Sequence, residues 1–249
     1  TFGAVTATGD AQTTSVTVSQ SAEATAAAAV AGVVNGAVTV TDGNLATAAD
    51  TITSVTLTNQ GATTITSSVL SNLDITGGAA AGTASGAITI DKSAADTSTA
   101  ATTLNISGSG FHGAIDGTLA DVYTTVNIAA SSAMTIADVN FAAATSINAS
   151  GAGVTTITAT TDVGAVTAFT STGGGLAIGA AIDNAVQFTG GAGADSVSLG
   201  ATAKTVDMGA GNDTVTLGAS LATGGKVLGG EGTDTLKATN ALAAANDAG

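Results

Sequence analysis

The sequence has 249 residues and a formal net charge of −14, because 18 acidic side chains face only four lysines. It contains no cysteine, proline or tryptophan, and 2% of its residues are aromatic although 44% are hydrophobic. Such small side chains cannot fill a thick globular core, but they can fill the thin interior of a solenoid. The acidic balance excludes nucleic acid as a partner, and no run approaches the roughly 20 apolar residues of a membrane helix, so direct membrane insertion is not expected.

Short alternating segments follow one another from the N-terminus to about residue 185. Two apolar residues two places apart, with polar residues between them, give each segment one inward face. The Ala-rich stretch 22–31 is expected to be a short helix or loop, and residues 67–70 and 117–123 to be helical or irregular connections. Strand cores are predicted at residues 14–18, 36–40, 54–57, 72–75, 103–106, 125–128, 146–149 and 156–159.

These segments predict an all-β fold, a right-handed parallel β-solenoid (β-helix), and three glycine-rich turns after residue 185 predict that it ends in a calcium-binding β-roll. Residues 1–185 are expected to form Ala/Thr/Asn-rich coils and residues 186–249 the β-roll, continuous with the first part because no Pro- or Ser-rich linker separates them. Asn105, Asn127 and Asn148 occupy the same position in three successive strand cores. They are either a hydrogen-bonded ladder along the solenoid or unrelated surface residues.

Three glycine-rich turns near the end of the chain carry the strongest functional signal. Each ends in an aspartate and precedes a short alternating strand. Glycine permits the backbone angles of a tight turn whose carbonyl oxygens point inward, and carboxylate oxygen is a hard ligand of the kind that calcium prefers. The predicted ligands, through side-chain or main-chain oxygens, are Gly190, Ala192, Gly193 and Asp195; Met208, Ala210, Gly211 and Asp213; and Gly229, Glu231, Gly232 and Asp234.

The spacing of the three aspartates predicts how the turns stack. Asp195 and Asp213 are 18 residues apart, and Asp213 and Asp234 are 21 apart. A coil of 18 residues holds two halves of nine, so the turns are expected on one edge of the roll with one calcium ion between each adjacent pair. The three additional residues are expected to bulge the opposite edge, which has no aspartate and is predicted to hold no metal. Glycine-rich turns ending in Asp could also serve as good turns alone.

Catalytic groups are sparse. His112 is the only imidazole, so a His-Glu-x-x-His metal site is excluded, and no Gly-x-Ser-x-Gly elbow is present to complete a serine triad. We expect His112 in a loop, with Phe111 turned inward. Residues 108–113 match a dinucleotide fingerprint, but another solenoid coil is expected after them rather than a helix. A glycosidase groove would have to use scattered aspartates, namely Asp74, Asp91, Asp96, Asp116, Asp121 and Asp138.

The three turns resemble those of the repeats-in-toxin (RTX) family, whose members are exported by type I secretion and fold on meeting extracellular calcium. More closely, residues 30–42, 188–195 and 199–204 are similar to the central region of Caulobacter-type RTX surface-layer proteins. The resemblance implies a structural role in a calcium-dependent lattice on the bacterial cell surface. The family's anchoring domain, which would contact cell-surface polysaccharide, has no counterpart in this stretch, and the chain is expected to be a fragment of a longer one.

Three functions remain open at this point. The first, which the lack of a catalytic set favours, is a structural subunit of an extracellular surface layer whose copies are bridged by calcium. The second is a secreted RTX adhesin or biofilm-matrix module, and the third is a secreted polysaccharide-active enzyme. An aromatic-lined groove would favour the second or third, and edge-to-edge contacts in two dimensions would favour the first. No enzymatic activity is expected.

Overall fold

The computed structural model describes residues 3–20, 35–43, 48–78, 84–93 and 97–238. The prediction for residues 22–31 lies outside these ranges. The regular secondary structure of the described part is almost entirely β-strand, and the strands wind into a parallel β-solenoid of about nine turns. The predicted fold class is therefore confirmed.

Twenty strands make up the described part of the solenoid, and all of their pairings are parallel. Most strands pair with the strand two places further along the chain, which stacks successive coils. A short 3₁₀ helix, Ala120–Val122, lies inside one of the predicted irregular connections. The strands are β1 (Val5–Thr8), β2 (Ser15–Ser19), β3 (Val38–Thr41), β4 (Ser54–Thr58), β5 (Thr63–Thr66), β6 (Asn72–Gly77), β7 (Ile88–Asp91), β8 (Thr103–His112), β9 (Ile115–Asp116), β10 (Thr125–Asn140), β11 (Ser146–Ser150), β12 (Thr155–Asp162), β13 (Ala168–Ser171), β14 (Leu176–Ile182), β15 (Gln187–Thr189), β16 (Ser196–Leu199), β17 (Thr205–Asp207), β18 (Thr214–Leu217), β19 (Lys226–Leu228) and β20 (Thr235–Ala238).

The core is a set of apolar columns that run along the solenoid axis. In β4 the alternation of the sequence buries Val55 and Leu57 and leaves the residues between them partly exposed. Val55 pairs with Leu73 of the next coil, and Leu73 pairs with Ile106 of the one after. Because each coil needs only a few small apolar side chains, the composition suffices to build a continuous interior.

The cross-section changes along the chain. In the middle, β10 pairs through its first half with β11 and through its second half with β12, so one long strand turns a corner and serves two faces. In the last coils two simple stacks remain, β15–β17–β19 and β16–β18–β20. The pairings β13–β15 and β14–β16 carry the sheet across residue 185 without a break.

The asparagine ladder is confirmed, and it runs along the surface of the solenoid. The Asn127 side-chain amide donates to Asn105 Oδ1 at 2.9 Å, and that of Asn148 donates to Asn127 Oδ1 at 2.9 Å. Asn72 extends the ladder by one coil, because its Oδ1 accepts a bond of 3.2 Å from Asn105. Each bond joins neighbouring coils and therefore supports their register.

No helix among the described residues has the length and apolar character needed to cross a membrane.

Candidate calcium-binding edge

The three glycine-rich turns stack in register, as predicted. The strands before them pair as Thr189 with Asp207 and Asp207 with Leu228. The strands after them pair through Ser196, Thr214 and Thr235. Asp195, Asp213 and Asp234 each precede one of these last three residues, so the carboxylates occupy one column on one edge of the roll.

The three extra residues between Asp213 and Asp234 lie on the opposite edge of the roll. Residues 200–204 connect β16 to β17, whereas residues 218–225 connect β18 to β19. The turns themselves keep the same length, and Ala210 and Glu231 form a parallel bridge between two of them. The predicted bulge is confirmed, and it leaves the aspartate column intact.

The glycines allow the turns to approach closely. A Cβ atom on Gly230 would lie 1.6 Å from the Gly209 carbonyl oxygen, and the φ angle of Gly230 is +89°. A Cβ on Gly232 would lie 1.8 Å from the Gly211 carbonyl oxygen, at a φ of +125°. Any other residue type would push the turns apart, so glycine is required here both for conformation and for space.

Each carboxylate is tied to the coil before its own. Asp234 Oδ1 accepts a hydrogen bond of 3.2 Å from the Asp213 backbone N–H, and Asp213 Oδ1 accepts one of 2.8 Å from the Asp195 N–H. Asp195 Oδ1 accepts the corresponding bond, 2.5 Å, from the Leu176 N–H. Leu176 occupies the aspartate position of the preceding coil, so the acidic column begins at Asp195.

Asp213 is the most unusual member of the column. It is 1% exposed, and its Oδ2 is buried without a hydrogen-bond partner. Burial raises the pKa of its carboxyl, and the charges of Asp195 and Asp234 raise it further, against the lowering effect of the Asp195 amide. An ionised carboxylate with an unpartnered buried oxygen, between two other carboxylates, is destabilised, and either a proton or a bound cation relieves that cost.

Main-chain oxygens of the turns also take part in the stacking. Gly191 O accepts from the Ala210 N–H at 2.6 Å, and Gly209 O accepts from the Glu231 N–H at 2.9 Å. Glu231 O in turn accepts from the Gly211 N–H at 2.8 Å. A carbonyl oxygen has two lone pairs, so these oxygens keep acceptor capacity for a cation.

The remaining predicted ligands lie in the same stack. Gly190 and Gly229 lie beside the carboxylates of their own turns, because a Cβ on either would approach Oδ2 of Asp195 or Asp234 at 2.6 or 2.3 Å. The Met208 side chain is buried, and the Met208 backbone N–H donates to Leu228 O at 2.9 Å. Ala192 and Gly193 lie in the first turn, next to Ala210 and Gly211 of the second.

The column holds too few carboxylates to bind a metal through acidic side chains alone. Within the described ranges no group of three or more histidine, cysteine, aspartate or glutamate side chains is placed to hold a metal ion. Any ion on this edge would therefore combine one or two carboxylates with turn carbonyls. Calcium accepts such sets of six to eight oxygens in flexible geometry, so the donor chemistry fits calcium.

Two polar residues that the sequence analysis did not select also order the turns. Asp207 Oδ1 accepts from the Gly209 N–H at 3.1 Å, and Asn212 Oδ1 accepts from the Thr233 N–H at 2.9 Å. Asp207 precedes the Met-Gly pair that opens the second turn. The Asp207 bond follows a common local pattern, in which Asp or Asn accepts from an N–H two residues further on, so the sequence contains a signal for it. The Asn212 bond joins two neighbouring coils and has no such local signal.

The expectation for His112 is wrong. His112 is the last residue of β8 and is 1% exposed, whereas Phe111 is partly exposed. The alternation of β8 decides which residue points inward, since Leu104 and Ile106 share the inward face with His112. Residues 108–113 lie largely within this strand, and the next coil follows through β9, as expected, so they form no nucleotide loop.

The scattered aspartates do not form one groove. Asp91 Oδ1 accepts from the Thr118 N–H at 3.0 Å, and Asp138 Oδ1 accepts from the Thr161 N–H at 3.0 Å, so both brace neighbouring coils. Asp74 accepts from the Ser107 hydroxyl at 3.2 Å. Asp121 is exposed on the 3₁₀ helix, and Asp96 lies outside the described residues.

No protein-family model matches the chain, and no curated protein matches it.

Proposed function

We propose that this chain is a structural subunit of an extracellular, calcium-dependent surface layer of a bacterial cell. The observation that supports the proposal most directly is Asp213. Its buried Oδ2 has no partner, and it lies between two stacked carboxylates on the edge of a rigid solenoid. The geometry favours a calcium-binding edge, and the solenoid favours a role in building an extended assembly.

Calcium would bind between adjacent turns. One ion between the first and second turns would contact Asp195 and Asp213, and one between the second and third would contact Asp213 and Asp234. Turn carbonyls would complete each ligand set. Extracellular calcium modules commonly bind at about 10⁻⁴ to 10⁻³ M, so ordering of this edge would follow export of the chain.

Assembly through calcium is supported by the charge of the chain. A net charge of −14 makes copies repel one another unless a divalent cation bridges them.

Three upstream aspartates, Asp91, Asp116 and Asp138, are candidates for calcium contacts between copies. Asp91 and Asp138 accept hydrogen bonds from threonines of the next coil. Asp116 is exposed and accepts at 2.7 Å from its sequence neighbour Gly117, a contact that does not bind it to another coil. Asp116 is therefore the best placed of the three to share an ion with a second copy.

Electron microscopy of the purified chain, with millimolar calcium and then with excess chelator, tests the proposal. We expect ordered sheets or filaments that form with calcium and dissolve on chelation. Asp116→Asn should weaken assembly and leave calcium binding in the roll intact, whereas Asp121→Asn is the control on an exposed aspartate. A chain that remains monomeric throughout, or one that cleaves a polysaccharide with saturable kinetics, would contradict the proposal. Calcium-dependent binding to cells without self-assembly would favour the adhesin alternative.

A further inference from the structure

A column of polar side chains lies inside the first coils of the solenoid. Strands β3, β5, β7 and β9 pair through Val38, Thr63, Ile88 and Ile115. Three places before each of these residues the chain carries Asn35, Gln60, Ser85 and His112, and Ser85 forms a parallel bridge with His112. The same position in the next three coils is occupied by Ile136, Ile157 and Ile178.

The column contains buried polar atoms without hydrogen-bond partners. Gln60 is 0% exposed, Ser85 is 3% exposed and His112 is 1% exposed. The unpartnered atoms are Asn35 Oδ1, both polar atoms of the Gln60 side chain, Ser85 Oγ and His112 Nδ1. Such atoms are rare in folded proteins, and a run of them across four coils requires an explanation.

The hydrogen bond of Nε2 determines which ring nitrogen of His112 carries the proton. Its Nε2 lies 2.9 Å from the Ser109 carbonyl oxygen, and a carbonyl can only accept. Nε2 therefore carries the proton, and in the neutral ring Nδ1 is an acceptor. Asn35 Oδ1 and Gln60 Oε1 are acceptors as well, so the column has more lone pairs than protons to offer.

We propose that this column holds a file of internal water molecules, which bridge the side chains of successive coils from Asn35 to His112. Water donates two hydrogen bonds and accepts two, which suits a column with an excess of acceptors. An anion would find donors in the Gln60 amide and the Ser85 hydroxyl, but the lone pairs of the other unpartnered atoms would repel it. A cation would be buried beside four side chains that carry no negative charge, which is costly.

The coil repeat also suits bridging water. Neighbouring parallel strands lie about 4.8 Å apart. Side chains of neighbouring coils can bond directly, as in the asparagine ladder, but Gln60, Ser85 and His112 make no such bond to one another. Two hydrogen bonds of about 2.8 Å meeting at a tetrahedral angle span about 4.6 Å. Serine has two fewer side-chain heavy atoms than the isoleucines in later coils, so we expect a water molecule at the level of Ser85.

A crystal structure that resolves ordered water tests the inference directly. We expect water density between Gln60, Ser85 and His112, each water within hydrogen-bond distance of at least two of them. Direct bonds between these side chains, with no water density, would overturn the proposal. Nitrogen NMR of His112 gives a second measurement: Nε2 should be protonated and Nδ1 should show a hydrogen-bonded acceptor, and added Zn²⁺ should leave both signals unchanged. A Zn²⁺-dependent shift would assign the column to metal instead.

Ser85→Ala provides a test by stability, with Ser15→Ala on the exposed face of β2 as the matched control. If Ser85 bonds to water, its loss should lower Tm by about 2–4 °C, while the control stays unchanged. If the column were dry and its atoms unpaired, removing the hydroxyl would raise Tm. These outcomes do not depend on calcium, so both variants are compared at one fixed calcium concentration and the result stands apart from the proposed function.

Discussion

Replacing Asp213 by asparagine should have opposite effects with and without calcium. In chelator, the change removes a buried charge whose pKa is raised by burial and by Asp195 and Asp234, and it keeps an oxygen that can accept the Asp195 N–H bond. The roll should therefore be at least as stable as in the parent chain. With calcium, the same change removes a carboxylate that two ions are proposed to share.

The expected loss with calcium follows from linkage. A site with free ion at a hundred times its Kd contributes about 2.7 kcal/mol to the free energy of unfolding. Asp213→Asn should therefore cost up to about 5 kcal/mol in calcium, since both ions lose a ligand. Asp195→Asn and Asp234→Asn should each cost about half of that, because each touches one ion.

Denaturant unfolding in calcium and in chelator, combined with calorimetric calcium titration, measures both effects. Asp121→Asn is the matched control, because Asp121 is exposed and lies in an upstream coil, well before the roll in the sequence. Equal losses for the three column aspartates would refute ion sharing. Destabilisation by Asp213→Asn of the same size in chelator as in calcium would refute the idea that its charge is unpaired without the ion.

Three further outcomes are expected. Hydrogen exchange in chelator should be fast in residues 186–238 and slow in the upstream coils, and calcium should slow it; uniform protection in both conditions would contradict this. Burial lowers the pKa of His112 below its ordinary 6.5, so the folded state binds fewer protons than the unfolded state. The contribution of His112 to stability should therefore be complete above about pH 6.5 and fall as the pH drops. Urea titrations between pH 7 and 5 measure this dependence, and His112→Gln should abolish it. Gly230→Ala should destabilise the roll by more than about 1 kcal/mol, because its Cβ would lie 1.6 Å from Gly209 O, whereas Gly218→Ala, with its nearest atom at 3.4 Å, should cost less in thermal unfolding.

The sequence predicted the β-roll better than the upstream coils because the roll's signal is local. Each turn shows its glycines and its aspartate within six residues, and nearly constant spacing fixes the stacking. Upstream, a Gly-Ala pair directly follows each of the four residues of the polar column, at residues 36–37, 61–62, 86–87 and 113–114 and at intervals of 25, 25 and 27 residues. Five other upstream Gly-Ala pairs, at residues 3–4, 78–79, 151–152, 164–165 and 179–180, do not belong to this series. The connections between the upstream strands differ in length, so this repeat has no single fixed period.

The prediction for His112 is wrong because the alternation of the strand, and not hydrophobicity, decides which side chain of β8 points inward. Phe111 is the more apolar residue, but Leu104, Ile106 and His112 are separated by even numbers of residues and so share one face of β8. The unpartnered Oδ2 of Asp213 could not have been predicted either. It depends on how far one coil lies from the next, which the sequence pattern does not contain.

The apolar interior continues into the coils that carry the acidic column. The coil of Asp195 buries Val186, Phe188, Val197 and Leu199, and the coil of Asp213 buries Val206, Met208 and Val215. What changes is the position directly before the strand, where Leu176 of one coil gives way to Asp195 and Asp213 of the next two. Each replacement buries a carboxylate where an apolar side chain lies upstream, so under the proposed function an ion between the turns would offset a cost that the upstream coils do not have. We therefore expect calcium to stabilise the coils of residues 186–238 and to leave the upstream coils unchanged.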